Sequence, residues 1–211
     1  MGSKYISISV IKRLPRYYRF LGMLKNAGMV RISSRELAER MGLSASQIRQ
    51  DLNCFGGFGQ QGYGYNIESL QAEIGKILGV DKGLKTIMIG AGNLGKTIAS
   101  QIDFANRGFE LLGVFDKNEA IVGQIVNGLP IRPASDIEDF CKENGVEVAV
   151  ICIPYEEAKS VIDLLVDCGI KGFWNFSHYN INEKYPRVAV ENVHFNDSLM
   201  TLCYQVINLD K

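Results

Sequence analysis

The chain has little that would suit secretion, metal binding or acid–base catalysis. Its five cysteines, Cys54, Cys141, Cys152, Cys168 and Cys203, are odd in number and include no C-x-x-C pair. That set indicates neither a disulfide framework nor a zinc site. No apolar run approaches the ~18 residues that a bilayer span requires, and the first residues carry no signal-peptide pattern. The expectation is therefore a cytoplasmic protein in a reducing compartment, with no membrane partner. His178 and His194 are the only histidines. Net charge is lacking too, but the zero is a sum of opposites. Residues 1–66 hold ten Lys and Arg against three Asp and Glu, a balance of +7, whereas residues 67–211 hold thirteen against twenty, a balance of −7. A basic head of that density points to a polyanionic partner, and the split argues for two domains.

What the acidic body does have is Gly90-Ala91-Gly92-Asn93-Leu94-Gly95, preceded by the apolar run Leu84, Ile87, Met88, Ile89 and followed by a helix-like segment, residues 94–102. Strand, glycine turn and helix in this order hold a dinucleotide pyrophosphate. Gly90 allows the turn, Gly92 lets the backbone approach the phosphates, and Gly95 lets helix and strand pack closely, while the helix N-terminus offers free N–H groups. A second strand over residues 109–115 ends in Asp116 and Lys117, and Asp116 stands 21 positions after Gly95. That is the spacing at which a carboxylate meets ribose hydroxyls and repels a 2′-phosphate, so NADH and NAD+ are the expected ligands. The bland alternative is a structural βαβ turn with an ordinary surface Asp.

In the basic head, apolar residues recur at helical spacing over residues 9–27, with Pro15 starting or kinking the helix. Ser33 with Glu36, and Ser44 with Gln47, make two capping-box patterns, predicting short helices over residues 34–41 and 45–55 around a turn at Gly42. This is the outline of a helix-turn-helix, whose second helix enters the major groove. Its outward face would present Ser46, Gln47, Arg49, Gln50 and Asn53, with Ser44 at its start. Arg reads a guanine edge and Gln or Asn an adenine edge. Glycines 56, 57, 59, 62 and 64 then alternate with Phe58, Tyr63 and Tyr65, which reads as a β-hairpin wing whose backbone at Gly62 and Gly64 approaches phosphates. Arg13 and Arg16 suit phosphate or domain contacts. A helix over residues 67–78 leads to a short linker at 81–83.

Beyond Asp116 the βα alternation continues: a loop at residues 128–133, a helix at 135–144, a strand at 147–153, a helix at 155–168, and strands at 172–176 and 187–190. Near-continuous apolar strands in β-α-β order mean a doubly wound parallel sheet. Its ligand loops at strand carboxyl ends nominate Cys152 to Tyr155, with Ile153 and Pro154, and Asn175 to His178. Phe104, Asn175 and the tail are candidates for contacts near the nicotinamide, where the NADH/NAD+ response that a family resemblance described below implies would have to be read. The tail, residues 196–209, is apolar nearly all round, with Ser198, Thr201, Gln205 and Asn208 as its polar stripe. Such a helix calls for burial on two or more sides. The predicted organisation is thus α/β: a winged-helix DNA-binding domain at 1–80, a Rossmann-like domain at 84–192, and a C-terminal helix at 193–211.

Four stretches, Ile48-Arg49-Gln50-Asp51-Leu52-Asn53-Cys54-Phe55-Gly56, Gly62-Tyr63-Gly64-Tyr65, the Gly90 to Gly95 turn, and Gly169-Ile170-Lys171-Gly172-Phe173-Trp174-Asn175-Phe176, closely resemble the bacterial redox-sensing transcriptional repressor family Rex. The resemblance covers nearly the whole chain. It implies a homodimer that represses operons of anaerobic and fermentative metabolism, binds palindromic double-stranded operator DNA when NAD+ predominates, and releases it on binding NADH. It further implies that the C-terminal helix is exchanged between subunits. In two places the chain departs from the commoner family pattern. Gln50 stands where a basic residue usually follows the recognition-helix Arg, and His194 stands where an Asp usually follows Asn-Val. That Asp and the first-helix Arg, matching Arg19 here, form the switch the family implies.

Two other function classes compete. An NAD-dependent oxidoreductase would need a substrate domain and a placed acid or base, and after the Rossmann-like unit only about 25 residues follow. His178, in a predicted loop, is its sole candidate base. A CoA-binding module of the ligase type shares the Rossmann-like core, but Asp116 and the basic head argue against it. No catalytic and no metal-ligating residue is assigned.

Overall fold

The computed structural model describes residues 6–56 and 63–209. Phe58 and Gly62, and with them most of the expected wing loop, lie outside the described residues. The chain divides into two compact units, Met1–Asp81 and Lys82–Lys211.

The first unit is built from α1 (Ile8–Asn26), β1 (Arg31–Ile32), α2 (Ser34–Met41), α3 (Ala45–Asn53), β2 (Tyr65–Asn66) and α4 (Ile67–Leu78). Local signals set most of these limits. Ser33 Oγ accepts the Glu36 N–H at 3.0 Å and Ser44 Oγ accepts the Gln47 N–H at 3.1 Å, satisfying donors that a helix start leaves unpaired. At the far end of α2, Gly42 takes φ +63°, the left-handed stop that a side chain would resist. α1 continues through Pro15, giving up one backbone hydrogen bond there. α3 ends at Asn53, two residues short of expectation, because the Cys54 and Phe55 N–H groups close tighter turns onto Asp51 and Leu52. Leu14, Tyr17 and Leu21 of α1, Ile48 and Leu52 of α3, and Ile67, Leu70 and Ile74 of α4 share one buried core. β1 and β2 pair antiparallel, Arg31 with Asn66 and Ile32 with Tyr65, so the chain that leaves α3 returns beside β1.

In the second unit the elements run β3 (Leu84–Ile89), α5 (Asn93–Gln101), β4 (Phe109–Asp116), β5 (Ile125–Val126), β6 (Leu129–Pro133), α6 (Ile137–Asn144), β7 (Val148–Ile151), α7 (Tyr155–Asp167), β8 (Gly172–Asn175), α8 (Ile181–Lys184), β9 (Ala189–Asn192) and α9 (Phe195–Ile207). The sheet order is β5-β6-β4-β3-β7-β8-β9, parallel throughout except for β5. Alternate strand residues feed opposite faces: Ile87, Ile89, Ala149 and Ile151 join α6 and α7 in one core, whereas Met88 and Val150 join α5 in another. Burial on both faces is what makes the strands read as continuous apolar runs.

Two sequence expectations are corrected. Residues 128–133 are not a loop: Asn127 (φ +50°) and Gly128 (φ +76°) form a two-residue hairpin between β5 and β6, and β6 then pairs parallel with β4. Asn-Gly is the residue pair such a turn demands. The last strand lies at Ala189–Asn192 rather than 187–190, because pairing of Gly172 with Ala189 and Asn175 with Asn192 sets its register. At the end of β8, Trp174 meets Phe176 edge-on at 4.8 Å, and Phe176 lies 5.9 Å from Phe195 at the head of α9. α9 buries none of its residues: Leu199 is 65%, Met200 70% and Ile207 67% exposed. Among the described residues no helix is long and apolar enough to cross a membrane.

Candidate functional site

The parallel strand order places the reversal of sheet direction between β3 and β7, where open α/β sheets take their ligands. The turn after β3 is built for that. Gly90 adopts φ +97°, and a Cβ there would lie 2.6 Å from the Cys152 carbonyl oxygen and 2.8 Å from Ile153 Cγ2. A Cβ on Gly95 would collide with the Gly90 carbonyl oxygen, whereas one on Gly92 would meet nothing within 4 Å. Two glycines are thus required by the fold, and the third leaves open space over the N-terminus of α5. Gly92, Asn93 and Leu94 form the exposed lip of the turn, and Ala91 is buried. Such a helix start, with unpaired N–H groups facing open space, fits a pyrophosphate.

Asp116 at the end of β4 reaches this turn. Its Oδ2 accepts the Ala91 N–H at 2.6 Å and its Oδ1 accepts the Asn118 N–H at 2.8 Å. Each oxygen keeps a lone pair for a ribose hydroxyl. Lys117 follows, with Nζ 2.7 Å from Glu157 Oε1. Ile153 and Pro154 sit in the loop after β7, and Ile153 lies beside Gly90.

Of the three candidates for nicotinamide contact, Phe104 and Asn175 are buried and the tail is exposed. Phe104 is 7% exposed within the core around Met88 and Ile98. Asn175 is 1% exposed, and its amide is fully engaged: Nδ2 donates to the Tyr179 carbonyl and to Asn192 Oδ1, and Oδ1 accepts from Ser177 N and Oγ. It is a strut tying β8 to the next loop and to β9. His178, at φ +63°, stacks on His194 with ring centroids 4.7 Å apart and Nδ1 atoms 2.6 Å apart. One imidazole therefore donates and the other accepts. Burial pushes the Cys152 thiol up to about 12, and its side chain packs against the core around Met88 and Val150.

On α3, Ser46, Arg49, Gln50 and Asn53 are exposed. Arg49 Nη1 rests 3.2 Å from Ser34 Oγ, a weak hold on a side chain otherwise free to reach a base edge. Gln47 turns inward and donates to Asp51 Oδ1 at 2.8 Å. Arg13 and Arg16 also make contacts within the domain, Arg16 from an exposed position. Arg13 grips Asp51 through Nε at 2.6 Å and Nη2 at 2.8 Å, and Arg16 donates to the Met41 carbonyl. Tyr63 is 70% exposed. Gly64 (φ +66°) is required by the fold: a Cβ there would lie 2.6 Å from the Ile32 carbonyl oxygen. Arg19 is exposed on α1.

Sequence reasoning missed Asp51. Only 1% exposed, it accepts from Arg13, Tyr17 and Gln47 and so fixes α3 against α1. Burial alone would raise its carboxyl, yet those hydrogen bonds hold it below the ordinary carboxylate range. The available signal was an Asp three residues after Ile48, on the apolar face of a helix, where an acid persists only when paired.

A winged helix-turn-helix unit and a doubly wound dinucleotide-binding sheet on one chain define a DNA-binding regulator that responds to a nucleotide. The chain is 49% identical over 204 residues to the redox-sensing transcriptional repressor Rex of Clostridioides difficile (strain 630), covering 97% of each. It belongs to the Rex family of redox-sensing transcriptional repressors. The family model "Putative DNA-binding protein N-terminus" matches residues 5–53, and "CoA binding domain" matches residues 81–179. A crystal structure of RSP in complex with β-NAD+ and operator DNA is similar at a TM-score of 0.88 and 47% identity, covering 96% of this chain and 93% of that one. RSP in complex with β-NADH is similar at 0.88 and 45%, covering 96% and 95%.

Proposed function

We propose that this chain, as a homodimer, holds palindromic operator DNA while NAD+ predominates and releases it on binding NADH. The observation that carries the reading is the joining, in one chain, of an exposed Ser46, Arg49, Gln50 and Asn53 face on a capped helix with a glycine turn that Asp116 closes. Gly90 to Gly95, Asp116, Lys117, Ile153 and Pro154 would line the nucleotide site. Ser44, whose hydroxyl hydrogen remains to be donated, and Tyr63 would meet phosphates beside the recognition helix. Arg19 and His194 are the proposed switch residues. The sheet senses rather than catalyses in this reading, which the similarity to redox-sensing repressors over nearly the whole chain supports. The site of action is the cytoplasm.

A ligand moves such an equilibrium only by its differential affinity, so a ~100-fold loss of operator binding needs about 2.7 kcal/mol of coupling. Operator titrations across NADH/NAD+ ratios test this. Affinity that does not respond to the ratio would defeat the proposal. The match to a CoA-binding model keeps one rival in view, and calorimetry with NADH and CoA separates them. A hydride-transfer assay addresses the oxidoreductase reading.

Two substitutions probe the halves separately. Arg49→Ala abolishes specific operator binding, since a bidentate guanine contact discriminates by ~1 to 3 kcal/mol, and leaves NADH affinity untouched. Gel shifts with operator and scrambled duplex show it, and a retained operator preference refutes the assignment of α3. Asp116→Ala weakens NADH binding and narrows its preference over NADPH. Loss of the acceptor for the Ala91 N–H adds to the effect. Unchanged dissociation constants for both nucleotides would remove Asp116 from the ribose site.

A further inference from the structure

One ion pair crosses the mouth of the nucleotide turn. Lys117 directly follows Asp116 at the end of β4, Glu157 lies in the first turn of α7 beyond β7, and their charged atoms are 2.7 Å apart. In the sheet, β4 and β7 are the two neighbours of β3, whose carboxyl end carries the glycine turn. The pair therefore joins the end of β4 to the start of α7, on either side of that turn. This bears on which nucleotide can enter. A ribose 2′-phosphate needs a nearby cation in place of the hydroxyl-binding carboxylate, and Lys117 is a cation one residue from that carboxylate. Its charge is already answered by Glu157, which the start of α7 favours as an anion.

We propose that Glu157 is a specificity-determining residue: by neutralising Lys117 it denies the 2′-phosphate of NADP(H) a counter-charge and reinforces Asp116 in restricting the site to NAD(H). This rests on the reading of Gly90 to Gly95 and Asp116 as the nucleotide site. Asp116 alone would repel the phosphate, but its two oxygens are held by the Ala91 and Asn118 N–H groups, leaving it no freedom to turn away and counter a liberated lysine. Because Lys117 is 70% exposed, solvent screens the pair and the effect is a few-fold rather than many-fold.

The experiment titrates NADH and NADPH into the full chain as wild type, Asp116→Ser, Asp116→Ser with Glu157→Gln, and that double variant with Lys117→Gln added. In the Asp116→Ser background, Glu157→Gln tightens NADPH binding about fivefold at low salt and changes NADH within about twofold. The gain shrinks at high ionic strength and disappears with Lys117→Gln. NADPH affinity that ignores Glu157→Gln, or a gain that survives loss of Lys117, overturns the role of Glu157 while leaving the nucleotide site standing. Failure of the wild type to bind NADH removes the site and this proposal together.

Discussion

Ending the chain after Val193 yields a monomer that no longer couples NADH to operator release. The expectation follows from α9, whose Leu199, Met200, Leu202, Val206 and Ile207 are all more than half exposed in the single chain. A helix that is apolar nearly all round is stable in water only when covered on several sides, and in the proposed homodimer an exchanged α9 would gain that cover from the second copy. A two-fold dimer must also match half-sites about 34 Å apart. Without α9 each half-site is bound singly and loses the gain of bivalent attachment. Analytical ultracentrifugation and operator titration of the truncation check both points. A stable dimer that still releases DNA when NADH is added contradicts the role given to α9.

Asp51→Ala costs the first unit about 3 kcal/mol, toward the low end for a broken buried pair, because the abandoned Arg13 side chain, 31% exposed, remains partly hydrated. For a unit of this size that lowers the melting midpoint on the order of 15 °C, and specific DNA binding falls with it because α3 loses its hold on α1. The same carboxylate sets an acid limit. Its folded-state pKa is depressed, so its contribution is fully present above the unfolded value of about 3.9 and disappears as pH falls through the lower folded value. Thermal melts of wild type and variant should therefore differ widely at neutral pH and converge in strong acid. Melts that differ by the same amount at every pH would mean that the charge of Asp51 does not contribute.

Features fixed by neighbours in sequence were legible. The caps of α2 and α3, the stop at Gly42 and the glycine turn after β3 lie where their residue types place them, since each depends on hydrogen bonds or backbone angles within a few positions. What could not be read depends on distant partners. Nothing local tells that Arg13, 38 positions away, faces Asp51 rather than solvent, or that Asn175 donates to Asn192 on the next strand. Phe104, an aromatic in a loop near the expected site, is indistinguishable by pattern from a ligand contact, yet the core claims it. The β5–β6 hairpin is a different case: its Asn127-Gly128 signal was present, and the brevity of β5, two residues, hid the strand.

The aromatic row at the end of β8 gives the protein an optical label of its own. Trp174 is the sole tryptophan, and through Phe176 it stands two ring contacts from the first residue of α9. Its emission therefore reports on the head of that helix without any introduced dye. Reduced nicotinamide absorbs where indole emits and the oxidised form does not, so energy transfer from this one residue distinguishes the two cofactor forms in the intact, unlabelled chain.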